Sequence, residues 1–234
     1  MIWSVPKMWE GGEVWILGGG PSIPIEFGVP KEVIQDVLQG RSTPSVYSPY
    51  MAPIHKKHVI AINIAYQIGN WMDMVFFGDA KFYDKYKIDM AQWSGLKVCC
   101  HQVAMNVPWV KYLQHDKKRP KGISYDPKAI SWNGNSGAAA ISVAAHTGAK
   151  RIILLGFDMQ DVAGEKHWHD LYRWDIPIPT KHNKQAQVQT DYKKYLLAFP
   201  QIAQDAKGRG IEIINASPHS TIDVFPKVAV KDLL

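Results

Sequence analysis

The stretch WNGNSGAAAISVAAHTGAKRIILLGFDM, residues 132–159, limits what this chain can fold into more than any other part of it. Asn133, Gly134, Asn135, Ser136 and Gly137 make a small polar turn, and residues 138–146 after it are alanine-rich without proline or formal charge. That pattern predicts a buried helix with Asn135 or Ser136 as its N-cap. Gly148 stands where a helix-ending left-handed residue belongs, and residues 152–155 form the unbroken apolar run of a parallel strand covered on both faces. Unpaired N–H groups and the positive end of the helix dipole converge on the GNSG turn, which suits a phosphate or a carboxylate. The strand runs straight into Gly156, Phe157 and Asp158. Ligands of open parallel sheets sit beyond the carboxyl ends of the strands, so Asp158 is a site candidate by position.

Other strands repeat the arrangement. Residues 14–17 are a short apolar run ending in Gly18, Gly19, Gly20, Pro21 and Ser22, where glycines admit a ligand close to the backbone and Ser22 adds a hydroxyl. The spacing is neither the dinucleotide fingerprint nor a P-loop, and a plain tight turn reads equally well from it. Residues 59–62 deliver Asn63, residues 73–77 deliver Gly78, Asp79 and Ala80, residues 98–103 read as a fourth strand, and residues 211–214 as the last. A helix is expected at 31–38, a loop at 41–53 and a long helix at 185–206. Strands alternating with helices predict a three-layer, Rossmann-like α/β domain with a mainly parallel sheet, one domain over 1–234. Polar and small residues gather on one edge of that sheet. Asp79 and Asp158 have a second reading as plain helix caps.

With 234 residues, 46% hydrophobic and 21% charged, the chain has the composition of a globular protein, and no apolar run reaches the roughly 18 residues needed to span a bilayer. The opening MIWSVPKMWEGGEVW lacks a basic leader and a long apolar core, so no secretory signal is read, and adjacent Cys99 and Cys100 are a poor disulfide framework. A reducing cytoplasm is the expected compartment. The net charge of +6 favours an anionic ligand, satisfied by a phosphorylated small molecule or by nucleic acid. The sharpest basic cluster, Lys117, Lys118, Arg119 and Lys121, beside Pro120 and Gly122, also reads as a solvated loop.

Residues 160–184 read as an irregular, lid-like loop over the carboxyl edge. His167 and His169 share a face if extended, and with Asp79 or Asp158 they are the candidates for a metal such as Mg²⁺, though spacing fixes no third ligand. Nearby Asp158 and Asp170 would raise the pKa of these two histidines, whereas Lys181 and Lys184 would keep His182 neutral.

The motifs in order, GGGPS, AIN, GD, NSGAAA, LLGFDM and the closing INASPHSTIDVFP, resemble a family that includes bacterial sialyltransferases, motility-accessory-factor glycosyltransferases and archaeal hydroxymethylpterin diphosphokinases. The resemblance runs over residues 14–226. It implies a nucleotide donor, CMP-sugar-like, lined by Gly18, Gly19, Gly20, Pro21 and Ser22, met by Asn63, Gly78, Asp79 and Gly156, and held by Asn135, Ser136 and Gly137 at the helix N-terminus. It also implies that His182, in TKHNKQ, is the general base; Asp158, by its place after the strand, and His169, in the HWHD segment, are the other catalytic candidates. The HWHD segment departs from the sialyltransferase branch and looks more like a bacterial and phage subgroup.

Three readings compete: a nucleotide-sugar-dependent glycosyltransferase, a pyrophosphokinase-like transferase using ATP and Mg²⁺, and a binding module that keeps the nucleotide pocket without catalysis. The acceptor, whether glycan, small molecule or modified nucleic acid, and the oligomeric state are left open.

Overall fold

A computed structural model describes residues 1–169 and 192–234. Their fold is an α/β, Rossmann-like arrangement built on seven parallel strands: β1 (Glu13–Leu17), β2 (His58–Ile62), β3 (Met74–Phe77), β4 (Leu96–Cys99), β5 (Val110–Tyr112), β8 (Arg151–Leu155) and β9 (Glu212–Asn215). Short strands β6 (Gln114–His115) and β7 (Ala129–Ile130) pair with each other. The order across the large sheet is β5-β4-β3-β2-β1-β8-β9, so the chain steps outward from β1 one way and resumes at β8 on its other side. The crevice between the ends of β1 and β8 is therefore the topological switch point, where open α/β sheets bind ligands.

Both faces of the sheet are covered, which is why the inner residues of β1, β2, β3 and β8 are apolar while charged or polar residues such as Glu13, His58 and Arg151 stand at strand starts. Val14, Ile16, Ile60 and Phe76 point to one core, shared with α4 (Ser136–His146) and α6 (Phe199–Gly208). Trp15, Leu17, Val59 and Phe77 alternate onto the other face. There they meet α3 (Ala80–Gln92) and a 3-10 segment, Pro44–Ile54. α1 (Ser22–Glu26) follows the glycine turn, and α2 (Lys31–Leu38) matches its sequence expectation.

α4 forms as its sequence predicts, with the Asn135 side chain accepting from the Ala138 N–H at 2.8 Å. Ala138, Ala139, Ala140 and Ala144 are fully buried, and a helix of small side chains lies close on a sheet. Gly148 closes it at φ 91°, a conformation that glycine adopts without strain.

Four expectations are corrected. β4 ends at Cys99 rather than continuing to 103, because His101 caps a 3-10 turn at Gln102–Ala104. The segment 41–53 is largely helical in the 3-10 sense. Of the long helix expected at 185–206, residues 185–191 lie outside the described residues, and the remainder is two helices, α5 (Tyr192–Leu196) and α6, because Pro200 can occupy only a first turn. β5, β6 and β7 were not anticipated, being too short to carry a period. Among the described residues, no helix is long and apolar enough to cross a membrane.

Candidate functional site

A cavity of about 310 Å³ opens at the switch point. Its walls come from every strand end that the sequence marked: Gly18 to Gly20 after β1, Asn63 after β2, Gly78 and Asp79 after β3, Asn135 to Gly137 at the start of α4, and Gly156 to Asp158 after β8. Residues distant in sequence share one cleft because parallel strands all deliver their carboxyl ends to the same edge.

Three side-chain polar atoms in this wall are buried without a partner, and Asp158 Oδ1 is the first. Asn63 Oδ1 is the second, on a residue held in the left-handed region at φ 50°; Asn135 Nδ2 is the third, its Oδ1 already committed to capping α4. A buried polar group left unpaired costs about 1–3 kcal/mol, so two oxygens and one N–H donor lining the same cleft point to a polar ligand that satisfies them. The amide end of α4 adds a fixed positive potential between them.

Other predicted residues turn out to serve the cleft from behind. Ser22 is buried, and its hydroxyl donates to Ser217 Oγ at 2.9 Å. Ser217 Oγ also accepts the N–H groups of Gly156 (3.0 Å) and Phe157 (3.3 Å). Asp158, 2% exposed, uses Oδ2 to accept the Ser22 N–H at 3.0 Å. Burial pushes its carboxyl above the usual range. Ser22 and Pro21 thus do not line the cavity, while Asp158 does so with its carboxylate tied to the glycine turn. Asp79 caps α3, its Oδ1 accepting the N–H groups of Lys81 (2.7 Å) and Phe82 (3.1 Å). The cap reading holds for Asp79 while the residue also faces the cleft.

The glycines are partly a packing requirement. A Cβ on Gly18 would lie 2.6 Å from the Gly156 carbonyl oxygen, and one on Gly78 would meet Trp132 at 2.5 Å. Gly137 faces the ring of buried Phe157, 2.9 Å from where a Cβ would stand, so a bulky side chain there strikes the core before it reaches a ligand.

The HWH segment is anchored rather than loose. Trp168, 1% exposed, donates from its indole to the Gly18 carbonyl (3.1 Å) and from its backbone N–H to the Gly19 carbonyl (3.1 Å). The Tyr47 hydroxyl donates to the Trp168 carbonyl at 3.3 Å. His167 lines the cleft, its Nδ1 3.3 Å from the Gly19 carbonyl oxygen, while His169 is buried against Trp168 and stacked on His167 at 5.3 Å. Burial lowers the pKa of both, most for His169, overturning the expectation that neighbouring carboxylates would raise them. Among the described residues no group of three His, Cys, Asp or Glu side chains comes together to hold a metal ion. Asp170 and His182 lie outside the described residues.

The sequence reading missed Trp132, Phe157, Lys166, Tyr192 and Tyr195, all of which line the cleft. Trp132 had a signal, a large aromatic immediately before a glycine-rich turn. Tyr192 and Tyr195 had only the i, i+3 spacing of one helix face.

No family model matches the chain, and no curated protein matches it. Among solved structures it is similar to the sialyltransferase CstII from Campylobacter jejuni in complex with a substrate analogue, cytidine-5'-monophosphate. Identity is 14% and the TM-score 0.46, over 93% of this chain and 85% of that one.

The buried histidines set a pH dependence. His146 Nε2 contacts the Ala129 carbonyl oxygen at 3.1 Å, and burial lowers its pKa as it does for His167 and His169. A base with a folded pKa below its unfolded value binds more protons when unfolded. Stability is therefore present above pH about 6.5 and lost as pH falls through that value, by up to ~1.4 kcal/mol per pH unit for each histidine. Asp158, shifted upward, acts in the opposite sense near pH 4. Urea melts between pH 7.5 and 5 should show a falling midpoint, less steep in His146→Gln; a flat or rising profile contradicts the histidine account.

Proposed function

We propose that this chain is a glycosyltransferase taking its sugar from a nucleotide donor bound across the carboxyl edge of the sheet. The observation that carries the reading is the switch-point cleft itself. The α4 amide end, the unpaired Asn63 Oδ1 and Asn135 Nδ2, and the flat Trp132 ring face one cavity whose volume falls in the range of small-ligand sites. The order of motifs supports a cytidine monophosphate sugar as the donor.

In the proposed transfer an acceptor hydroxyl oxygen attacks the anomeric carbon, the bond from that carbon to the phosphate oxygen breaks, and the nucleotide phosphate leaves with the electron pair. The hydroxyl proton passes to a general base, for which His182 is proposed from its place in the motif order. The α4 N–H groups stabilise the phosphate that leaves. Asp79 Oδ1 and Asp158 Oδ2 are committed to backbone N–H groups, whereas Asp158 Oδ1 has no partner, and the transfer is written without a metal. Both carboxylates still face the cleft, which is the observation that favours the ATP and Mg²⁺ reading as second.

Melting curves with CMP, CMP-sialic acid, UDP-sugars, GDP-sugars, and ATP with and without Mg²⁺ test this. A cytidine nucleotide at a hundred times its Kd should stabilise by about 2.7 kcal/mol, and Asn63→Gly, which keeps the left-handed backbone, should lose most of that gain. Stabilisation by ATP only with Mg²⁺ would favour the diphosphokinase reading, stabilisation without turnover the binding module, and no shift with any nucleotide would end all three.

A further inference from the structure

A second cavity, of about 1020 Å³, shares a wall with the cleft. Trp132 lines the cleft and stacks on His115 at 5.3 Å and 12°, and His115 lines the second cavity. Gly78, in the cleft, faces Cys100 Sγ, which lies on the other side of the same wall.

The lining of this second cavity sets Lys117, Lys118 and Arg119 beside Asp116 and Asp126. Asp116 is consumed by its own loop: Oδ1 accepts the N–H groups of Lys118 (3.1 Å) and Arg119 (3.0 Å), and Oδ2 the Ser124 hydroxyl (2.7 Å). Asp126 Oδ1 accepts the Lys128 N–H at 2.9 Å. Arg119 is paired with Asp205. Among the described residues the Lys117 and Lys118 ammonium groups enter no ion pair, and both side chains are exposed on the cavity wall. Beside them Tyr125 is 67% exposed yet fixed, its ring met by the guanidinium groups of Arg119 at 4.7 Å and Arg209 at 4.1 Å. Arg209 is itself held by the carbonyls of Ile123 (2.6 Å) and Ser124 (2.9 Å).

Ammonium groups outside any ion pair, next to an exposed aromatic ring, are the combination that takes phosphates and stacks planar bases. We propose that this cavity is the acceptor site and takes a nucleotide unit, free or within a single strand, with phosphate on Lys117 and Lys118 and a base against Tyr125. The proposal rests on the neighbouring cleft being the donor site.

Anisotropy titration of the full chain with a labelled oligothymidylate of about 12 nucleotides, with thymidine monophosphate as competitor, tests it. The double variant K117A/K118A should bind at least tenfold more weakly at low salt and lower the log–log salt slope by about 1.4, two phosphates' worth for a single strand. Tyr125→Ala should weaken binding roughly fivefold or more without changing that slope. The control K7A/K87A, with the same net charge, should bind as wild type. Displacement by the mononucleotide assigns the site to a free nucleotide, and failure to displace assigns it to a strand. If neither ligand binds, or if K117A/K118A binds both as wild type does, the proposal is overturned. The cleft is read separately: the melting shift with CMP should survive in K117A/K118A and vanish in Asn63→Gly. Absence of any CMP shift in wild type would withdraw the donor reading while the oligonucleotide result still decides the second cavity.

Discussion

Gly20→Ala is expected to destabilise the fold by about 3 kcal/mol, at the upper end of ordinary overpacking, and to lower the melting temperature by roughly 6–12 °C for a chain of this size. A Cβ at this position would stand 2.7 Å from the Gly156 carbonyl oxygen and run into Asp158 Oδ2. Neither neighbour can give way cheaply. The carbonyl accepts the Gly20 N–H at 2.9 Å, and the carboxylate holds the Ser22 N–H in a buried site. Gly19→Ala is the matched comparison, since a Cβ there would meet only His167, with Nδ1 at 3.0 Å. It should cost under about 1 kcal/mol, as expected where a single side chain can shift. Equal melting temperatures for the two variants would show that the loops after β1 and β8 are not held as closely as the hydrogen bonds imply.

His182→Ala is expected to reduce sugar transfer a hundredfold or more while leaving CMP affinity within about twofold, the signature of a group that acts only in the transition state. The competing bases are now better defined. His169 is buried and outside the cleft wall, so it lacks access to an acceptor hydroxyl. His167 does line the cleft, and burial favours its neutral form, which makes it the variant to set against His182. Transfer that survives His182→Ala but is lost in His167→Ala would make the HWHD segment the catalytic centre and withdraw the assignment taken from the motif order.

Local pattern was enough to read α4, its Asn135 cap, the Gly148 stop and five strands of the large sheet, because helix caps and doubly buried strands leave their physics in adjacent residues. It was also enough to gather Gly18, Asn63, Gly78, Gly156 and Asp158 on one edge, since alternation of strands and helices already implies parallel pairing. Adjacent residues could not say which groups at that edge face the cleft. Asp158 and Ser22 are 136 positions apart, and only the switch from β1 to β8 brings the Ser22 N–H to 3.0 Å from Asp158 Oδ2, while the hydroxyl read as a ligand contact is a buried tie to Ser217. Trp168 looked like part of a polar loop, yet its indole reaches Gly18, 150 positions away, and burial lowers the pKa of the histidines on either side of it. Burial and long-range pairing depend on which surfaces meet, and no window of sequence contains that information.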